Sequence, residues 1–162
     1  MLTLGIDPGT ATIGYGVVRE LNDGSLEPVA YSVIRTTPDN TMPDRLNMIY
    51  EGIQAIVREY QPDRSAVEEL FFAKNVTTAI TVAQGRGVIL LALAQAGLEI
   101  AEYKPHVVKQ AISGYGNAKK PQMQEMVRIL LGLDEIPKPD DAADALALAI
   151  TDIHTHRYNS WE

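Results

Sequence analysis

The 162 residues include no cysteine, which excludes disulfides and cysteine-ligated zinc. No apolar run approaches the roughly 18 residues needed to span a bilayer, so no membrane partner is expected. The start, Met1-Leu2-Thr3-Leu4-Gly5, lacks the basic residues and apolar stretch of a signal peptide. A cytoplasmic protein is the expectation. Basic charge is also scarce: 14 Lys and Arg face 21 Asp and Glu, a net charge of −7. That deficit would argue against a nucleic-acid binder, because phosphate contacts need Lys and Arg. The distribution weakens the objection. Between Lys74 and Lys120 there are six basic and two acidic residues, leaving eight basic and nineteen acidic elsewhere. A basic face on an acidic body suits a protein that holds an anion around acidic groups. Chance clustering is the alternative reading.

What is present describes one soluble globular domain over residues 1–162, its last few residues a tail. Hydrophobic residues make up 46% and charged residues 22%, and no repeat, low-complexity segment or linker interrupts the chain. Leu2, Leu4 and Ile6 alternate with Thr3, Gly5 and Asp7, the period of a strand. After the Asp7-Pro8-Gly9-Thr10 turn, 12–19 and 26–35 read as two further strands joined by the hairpin signal Asn22-Asp23-Gly24. Leu46, Ile49, Tyr50, Ile53, Ile56, Val57 and Tyr60 then recur at helical spacing, with Pro62 as the stop. A short strand follows over 65–70. Asn75 can cap a long helix reaching about Ala96, with Val76, Ile80, Ala83, Leu90, Leu91 and Ala94 inward. Its Gly85 and Gly87 cost roughly 1 kcal/mol each against Ala, so close packing or a bend should explain them. A fifth strand over 98–103, a short helix opened by Pro105, and a flexible loop over 114–117 carrying Lys119 and Lys120 come next. A helix over 121–131 points Met123, Met126, Val127, Leu130 and Leu131 inward, and a Pro-rich link leads to a final helix capped by Asp140. The order βββαβαβααα describes an α/β protein: a five-stranded mixed sheet, antiparallel meander then parallel strands, with helices on both faces. That is the element order of the RNase H-like fold.

Four carboxylates stand where acid is awkward. Asp7 ends a strand that should be central. Glu68 sits in an apolar strand. Asp141 and Asp144 are three apart near the start of an Ala/Leu-rich helix, hence on one face. Buried carboxylates without partners cost several kcal/mol, and Arg is scarce around these positions. Hard divalent cations, which take oxygen ligands, are the natural partners. Each acid also has a plain reading. Asp7 can shape its turn, one of Glu68 and Glu69 must face out, and Asp140 and Asp141 can serve the helix dipole. The four together are more specific than any one of them.

The same residues carry a family resemblance. Gly5-Ile6-Asp7-Pro8-Gly9-Thr10 with Gly14-Tyr15-Gly16 resembles the opening of RuvC-type Holliday-junction resolvases. So do Ala66 through Glu68 to Phe71-Phe72-Ala73-Lys74-Asn75, then Gln84-Gly85-Arg86-Gly87-Val88, Val108-Lys109-Gln110 and the run from Asp141 to Ala147. The motifs span about residues 2–153 in the family's order. The resemblance implies the RNase H-like fold, a homodimer, and two Mg²⁺ or Mn²⁺ ions per active site. It implies cutting of four-way junction DNA in bacterial recombination and repair, leaving 5′-phosphate and 3′-hydroxyl ends. It implies the RuvA–RuvB branch-migration complex as partner. The family's catalytic and metal-binding acids fall on Asp7, Glu68, Asp141 and Asp144, with Asp140 the neighbour that competes for the third place. Its basic DNA contacts fall on Lys109 and Lys120, and its junction-facing aromatic on Phe71. Lys74 and Lys119, in the same basic stretch, are read with them as DNA contacts, and Phe72 as the core member of its pair.

Three rivals use the same residues. An RNase H-type enzyme would cut RNA in RNA–DNA hybrids with the same acids. An actin-like phosphotransferase begins with a similar strand and turn, but that fold usually needs two such domains. A non-catalytic DNA-binding module would not need four acids.

Overall fold

The computed structural model describes residues 1–69 and 76–161. Among these residues five strands form one sheet: β1 (Leu2–Asp7), β2 (Thr12–Glu20), β3 (Leu26–Arg35), β4 (Arg64–Glu68) and β5 (Glu99–Tyr103). Five helices accompany them among the described residues: α1 (Met42–Tyr60), α2 (Val76–Gln95), α3 (Pro105–Ser113), α4 (Lys120–Leu130) and α5 (Asp140–Asn159). The strand order is β3-β2-β1-β4-β5. β1, β2 and β3 pair antiparallel, while β1, β4 and β5 run parallel. The expected element order and mixed sheet are therefore both present. β1 lies at the centre and delivers Asp7 at its C-terminal end, beside the end of β4 and its Glu68.

The alternation of side chains divides the core in two. Leu4 and Ile6 of β1 join Val17, Val67 and the α1 and α2 side chains Ile49, Ile53, Ile89 and Leu93 on one face. Val18 and Ala66 join α3, α4 and α5 on the other. Full burial of side chains such as Leu146, Leu148, Ile150 and Ile153 stabilises the α5 layer by about 1.5–3 kcal/mol each.

Glycine sets how closely α5 lies on the sheet. A Cβ on Gly5 would fall 2.0 Å from the Ala145 carbonyl oxygen, and one on Gly14 would fall 1.9 Å from that of Asp141. At Gly16 it would meet Leu146 at 2.8 Å. Any side chain there would lift the helix off β1 and β2. The glycines of the opening motif thus place Asp141 and Asp144 against the strand that carries Asp7.

Several expectations change. Strand β4 begins at Arg64 and ends at Glu68; Leu70 and the proposed cap Asn75 lie outside the described residues. Helix α2 buries Gly85, Ile89, Ala92 and Leu93, whereas Val76, Ile80, Ala83, Leu91 and Ala94 are exposed. The helix is apolar on nearly every side, so periodicity could not select its inner face. It is also long and apolar enough to cross a membrane by length and composition, although Thr81, Gln84 and Arg86 interrupt its apolar run. Its inner face packs on α1 and β5. Gly85 is explained by the Gly9 carbonyl oxygen, which a Cβ would meet at 3.0 Å. Gly87 faces open space.

At the other end of the chain, Lys120 is the first residue of α4 and Lys119 its N-cap, rather than parts of a free loop. Pro139, not Asp140, occupies the N-cap of α5, and no side chain caps that helix. Asp140 instead turns to α4, where it accepts from Gln124 Nε2 at 3.0 Å and pairs with Lys120 Nζ at 3.1 Å.

Candidate active site

Asp7, Asp141 and Asp144 converge from β1 and the first turns of α5. Each offers a carboxylate oxygen, and the three oxygens lie within 4.8 Å of one another. Glu68, on the neighbouring strand, shares a hydrogen bond with Asp7. The placement follows from local sequence. Residues 3, 5 and 7 of β1 share the face turned to α5, and the i, i+3 spacing puts Asp141 and Asp144 on one side of that helix.

The electrostatics are lopsided. Burial, and then the charges of Glu68, Asp144 and Asp141, push the Asp7 carboxyl up to about 9. Burial also raises Asp144, with Lys120 pulling the other way. Glu68 is raised by burial, with the Asp7 hydrogen bond and the nearby Lys109 opposing. Burial and the neighbouring charges favour a protonated Asp7, which donates to Glu68. The largest influences on Asp7 are burial and its acidic neighbours, while Lys109 acts on Glu68 and Lys120 on Asp144. A site of oxygen donors only, crowded and short of positive charge, fits a hard divalent cation.

Beside the acids opens a cavity of about 510 Å³ between α3, α4 and α5. Glu68 and Asp144 form its inner edge, and Lys109, Lys119 and Lys120 line it. Three of the four lysines expected to meet DNA therefore gather next to the acids. Phe71, Phe72 and Lys74 lie outside the described residues.

The sequence names Arg86 and Asp140 but gives neither the positioning role that the structure shows. Arg86 Nε donates to the Glu68 carbonyl oxygen at 3.1 Å, and its guanidinium pairs with Glu102. It ties α2 to the end of the strand that presents Glu68. A lone arginine in so apolar a helix was the available signal. Asp140 holds Lys120 at the rim, and its proximity to the lysine became visible only when α4 and α5 came together.

Comparison with known proteins agrees with this geometry. A family model described as crossover junction endodeoxyribonuclease RuvC matches residues 3–152. A protein of that name from Chloroflexus aurantiacus is 58% identical over 155 residues, 96% of this chain and 94% of its own. Another, from Desulfitobacterium hafniense, is 59% identical over 159 residues, 98% of this chain and 94% of its own. Thermus thermophilus RuvC superposes with a TM-score of 0.92 at 35% identity, covering 98% of this chain and 97% of that one. The same protein in complex with a Holliday junction substrate gives 0.93 at 35% identity, covering 99% and 97%. The yeast mitochondrial Holliday junction resolvase, at 14% identity and a TM-score of 0.66 over 98% of this chain and 83% of its own, shares the fold. With a matching family model over almost its whole length, relatives well above half identical, and the RNase H-like fold, the chain belongs to the RuvC family of crossover junction endodeoxyribonucleases.

Proposed function

We propose that the protein resolves four-way DNA junctions by metal-dependent hydrolysis, with Asp7, Glu68, Asp141 and Asp144 holding two Mg²⁺ or Mn²⁺ ions. The observation that carries this reading is the set of crowded, charge-unbalanced carboxylates opening onto a lysine-lined groove. Divalent cations held there supply Lewis acidity to the phosphodiester and to the attacking water. Asp7 is the central ligand, facing the other three acids. Lys109 and Lys120 neutralise phosphates next to the one that is cut, and Lys119 lies beside them. Phe71 and Lys74 complete the DNA contacts in this reading, and the products are 5′-phosphate and 3′-hydroxyl ends. The RuvA–RuvB complex is the partner in the bacterial cytoplasm.

The reading includes a homodimer, because a junction presents two opposed strands to cut. The exposed face of α2 supports it. Val76 is 73% exposed, Ile80 55% and Leu91 52%, and Gly87 falls between them with open space over it. A glycine inside an exposed helix costs roughly 1 kcal/mol unless another surface comes close. A second copy packed on this stripe accounts for both the apolar residues and the glycine.

The test is cutting of a synthetic four-way junction, a linear duplex and an RNA–DNA hybrid, with and without Mg²⁺ or Mn²⁺. Paired nicks in the junction alone, only with metal, are expected. Preferential cutting of the hybrid would instead favour an RNase H-type enzyme. Ile80→Glu should convert the dimer to monomer by sedimentation, and a wild-type protein that sediments as a monomer at all concentrations would remove the dimer.

A further inference from the structure

One edge of the sheet carries the acids. The parallel strands β1, β4 and β5 end there, at Asp7, Glu68 and Tyr103. The antiparallel β2 begins there at Thr12, and β3 ends there with Arg35 opposite Thr12. The lysine-lined cavity lies to the β4 and β5 side of Asp7, with Glu68 and Pro105 in its wall. Arg35 lies to the other side, two strands from β1, about 10 Å across the sheet at the usual strand spacing. Tyr31 packs in the core with α5, and Ile34 in the core with α1. Alternation therefore puts Arg35 on the face that carries the acids, and it is exposed.

Most arginines here are already engaged. Arg19, Arg64, Arg86, Arg128 and Arg157 each pair with a carboxylate. Among the described residues Arg35, Arg45 and Arg58 form no such pair, and the first two meet at this edge. Arg45, in the first turns of α1, donates from Nε to the Thr36 hydroxyl at 3.0 Å. That hydroxyl donates in turn to the Thr10 carbonyl oxygen, and the Thr36 N–H donates to the Ala11 carbonyl oxygen at 2.9 Å. Arg45 is thus anchored to the turn that follows Asp7, and its two terminal amines remain for a ligand. Asp39 and Asp44, the acids nearest in sequence, leave it so: Asp39 is taken by Thr37, and Asp44 opens α1.

We propose that Arg35 and Arg45 hold the phosphate backbone of the cut strand on the side of the scissile phosphate opposite the lysines. The proposal rests on the junction-nuclease reading and deepens it. Cations on one side alone leave the strand free to pivot about the acids. A second grip two strands away fixes its direction across Asp7, and so the line along which water attacks. Guanidinium forks suit this task, because they meet phosphate oxygens in a set geometry. The Thr36 relay makes the grip and the Asp7 turn move together.

The experiment measures junction affinity across a salt series without metal. Arg35→Gln and Arg45→Gln should each lower the slope of log affinity against log salt by roughly 0.9, and the double variant by about twice that. Arg58→Gln removes the same charge from the last turn of α1 and should leave the slope unchanged. Arg45→Lys keeps the charge and should keep the slope, and melting curves show that each variant folds. Junctions with a neutral methylphosphonate at one phosphate at a time then locate the contact. The position that weakens wild-type binding but not that of Arg35→Gln should lie across the cut from the one that answers to Lys109→Ala. Wild-type slopes in both glutamine variants, an equal loss in Arg58→Gln, or a position on the same side as that of Lys109 overturns the proposal. These readings do not depend on cutting. Failure of the wild type to cut any junction would therefore sink the nuclease reading, and unchanged slopes would sink the arginine grip.

Discussion

Helix α5 carries two acids about two turns apart, Asp152 buried and Asp144 half-buried, and they are treated in opposite ways. Asp152 is fully buried and fully partnered. Arg64 Nε and Nη2 reach its two carboxylate oxygens at 2.8 and 3.1 Å, and Tyr103 Oη donates to it at 2.8 Å. Arg64 is itself held by Glu99 at 2.6 Å. Asp144 lies among other acids, with Lys120 its offsetting charge from across the rim. One acid is neutralised by the fold and serves to lock β4, β5 and α5 together. The other is left with only a partial offset at the surface of the core, which the proposed cation would complete. Burial of an acid is therefore not the mark of a functional site; burial without internal compensation is.

The strongest test removes the deficit at its centre. Asp7→Asn keeps the volume and one hydrogen-bonding oxygen while removing the anionic form that a cation would need. Folding should survive, and junction binding without metal should be nearly unchanged at neutral pH, because Asp7 already holds its proton there. Cutting should fall by at least about a hundredfold, since several kcal/mol of metal-assisted stabilisation would be lost. Near wild-type cutting by this variant would remove the metal reading of the cluster.

The partnered acid should behave inversely. Asp152→Ala strands a buried guanidinium, a change that costs about 3–5 kcal/mol. The lower figure applies here because Glu99 still holds one edge of Arg64. Thermal melting should then drop by roughly 6–12 °C for a chain of this size. Cutting per folded molecule at low temperature should be nearly unchanged. A loss of activity without a loss of stability would place Asp152 in the wrong class.

A pH series sharpens the contrast. Asp7 has a raised value in the folded state, so its contribution to stability is complete below its ordinary value of 3.8 and is lost as pH rises towards about 9. Between pH 7 and 9 the unfolded chain has already released that proton while the folded one still holds it. Stability of the metal-free protein should fall there by up to about 1.4 kcal/mol per pH unit. His154, whose value is lowered from 6.5 mainly by burial, acts below this window. Tyr103, raised by burial and by its bond to Asp152, acts above it. Asp7→Asn should abolish the slope, and Mg²⁺ or Mn²⁺ should flatten it in the wild type. Melting temperatures at three pH values, with and without metal, decide the matter, and a rising curve would contradict the assigned direction.

The two acids also differ in how legible they were. Asp7, Asp141 and Asp144 could be read because a strand end and an i, i+3 helical pair are local patterns, set within motifs that resemble a known family. The sheet was legible for the same reason: period-two runs and turn residues state the meander and the parallel units directly. Arg64 and Asp152 passed unnoticed, although an aspartate in Ala149-Ile150-Thr151-Asp152-Ile153 was as anomalous as Glu68. Their pairing spans 88 positions in sequence, and no local pattern announces such a contact. The inner face of α2 was unreadable for a different reason. Nearly all its sides are apolar, so the choice belongs to whatever packs on it, and there the decisive residue was Gly85 against Gly9.

The smallest effects belong to the lysines, and here compensation matters again. Lys109 and Lys120 are both read as phosphate contacts, but Lys120 is already paired with Asp140 at 3.1 Å, while the charge of Lys109 acts on Glu68. Each lysine that neutralises a phosphate contributes roughly 0.9 to the slope of log affinity against log salt. Lys109→Ala should reduce the slope of junction binding by about that amount. Lys120→Ala should reduce it by less, because breaking the pair with Asp140 offsets part of the gain from the phosphate. Asp140→Asn releases Lys120 from that pairing and removes a repulsive charge, so it should strengthen binding at low salt and bring the cost of Lys120→Ala up to that of Lys109→Ala. Junction affinity across a salt series, for the three single variants and the Lys120→Ala, Asp140→Asn double variant, measures this. Equal slopes for the two lysine variants in the presence of Asp140 would mean that the exposed Lys120–Asp140 pair is weak, and that the rim is not pre-organised by it. Unchanged slopes in both would place the DNA elsewhere and leave the basic stretch from Lys74 to Lys120 as an accident of composition.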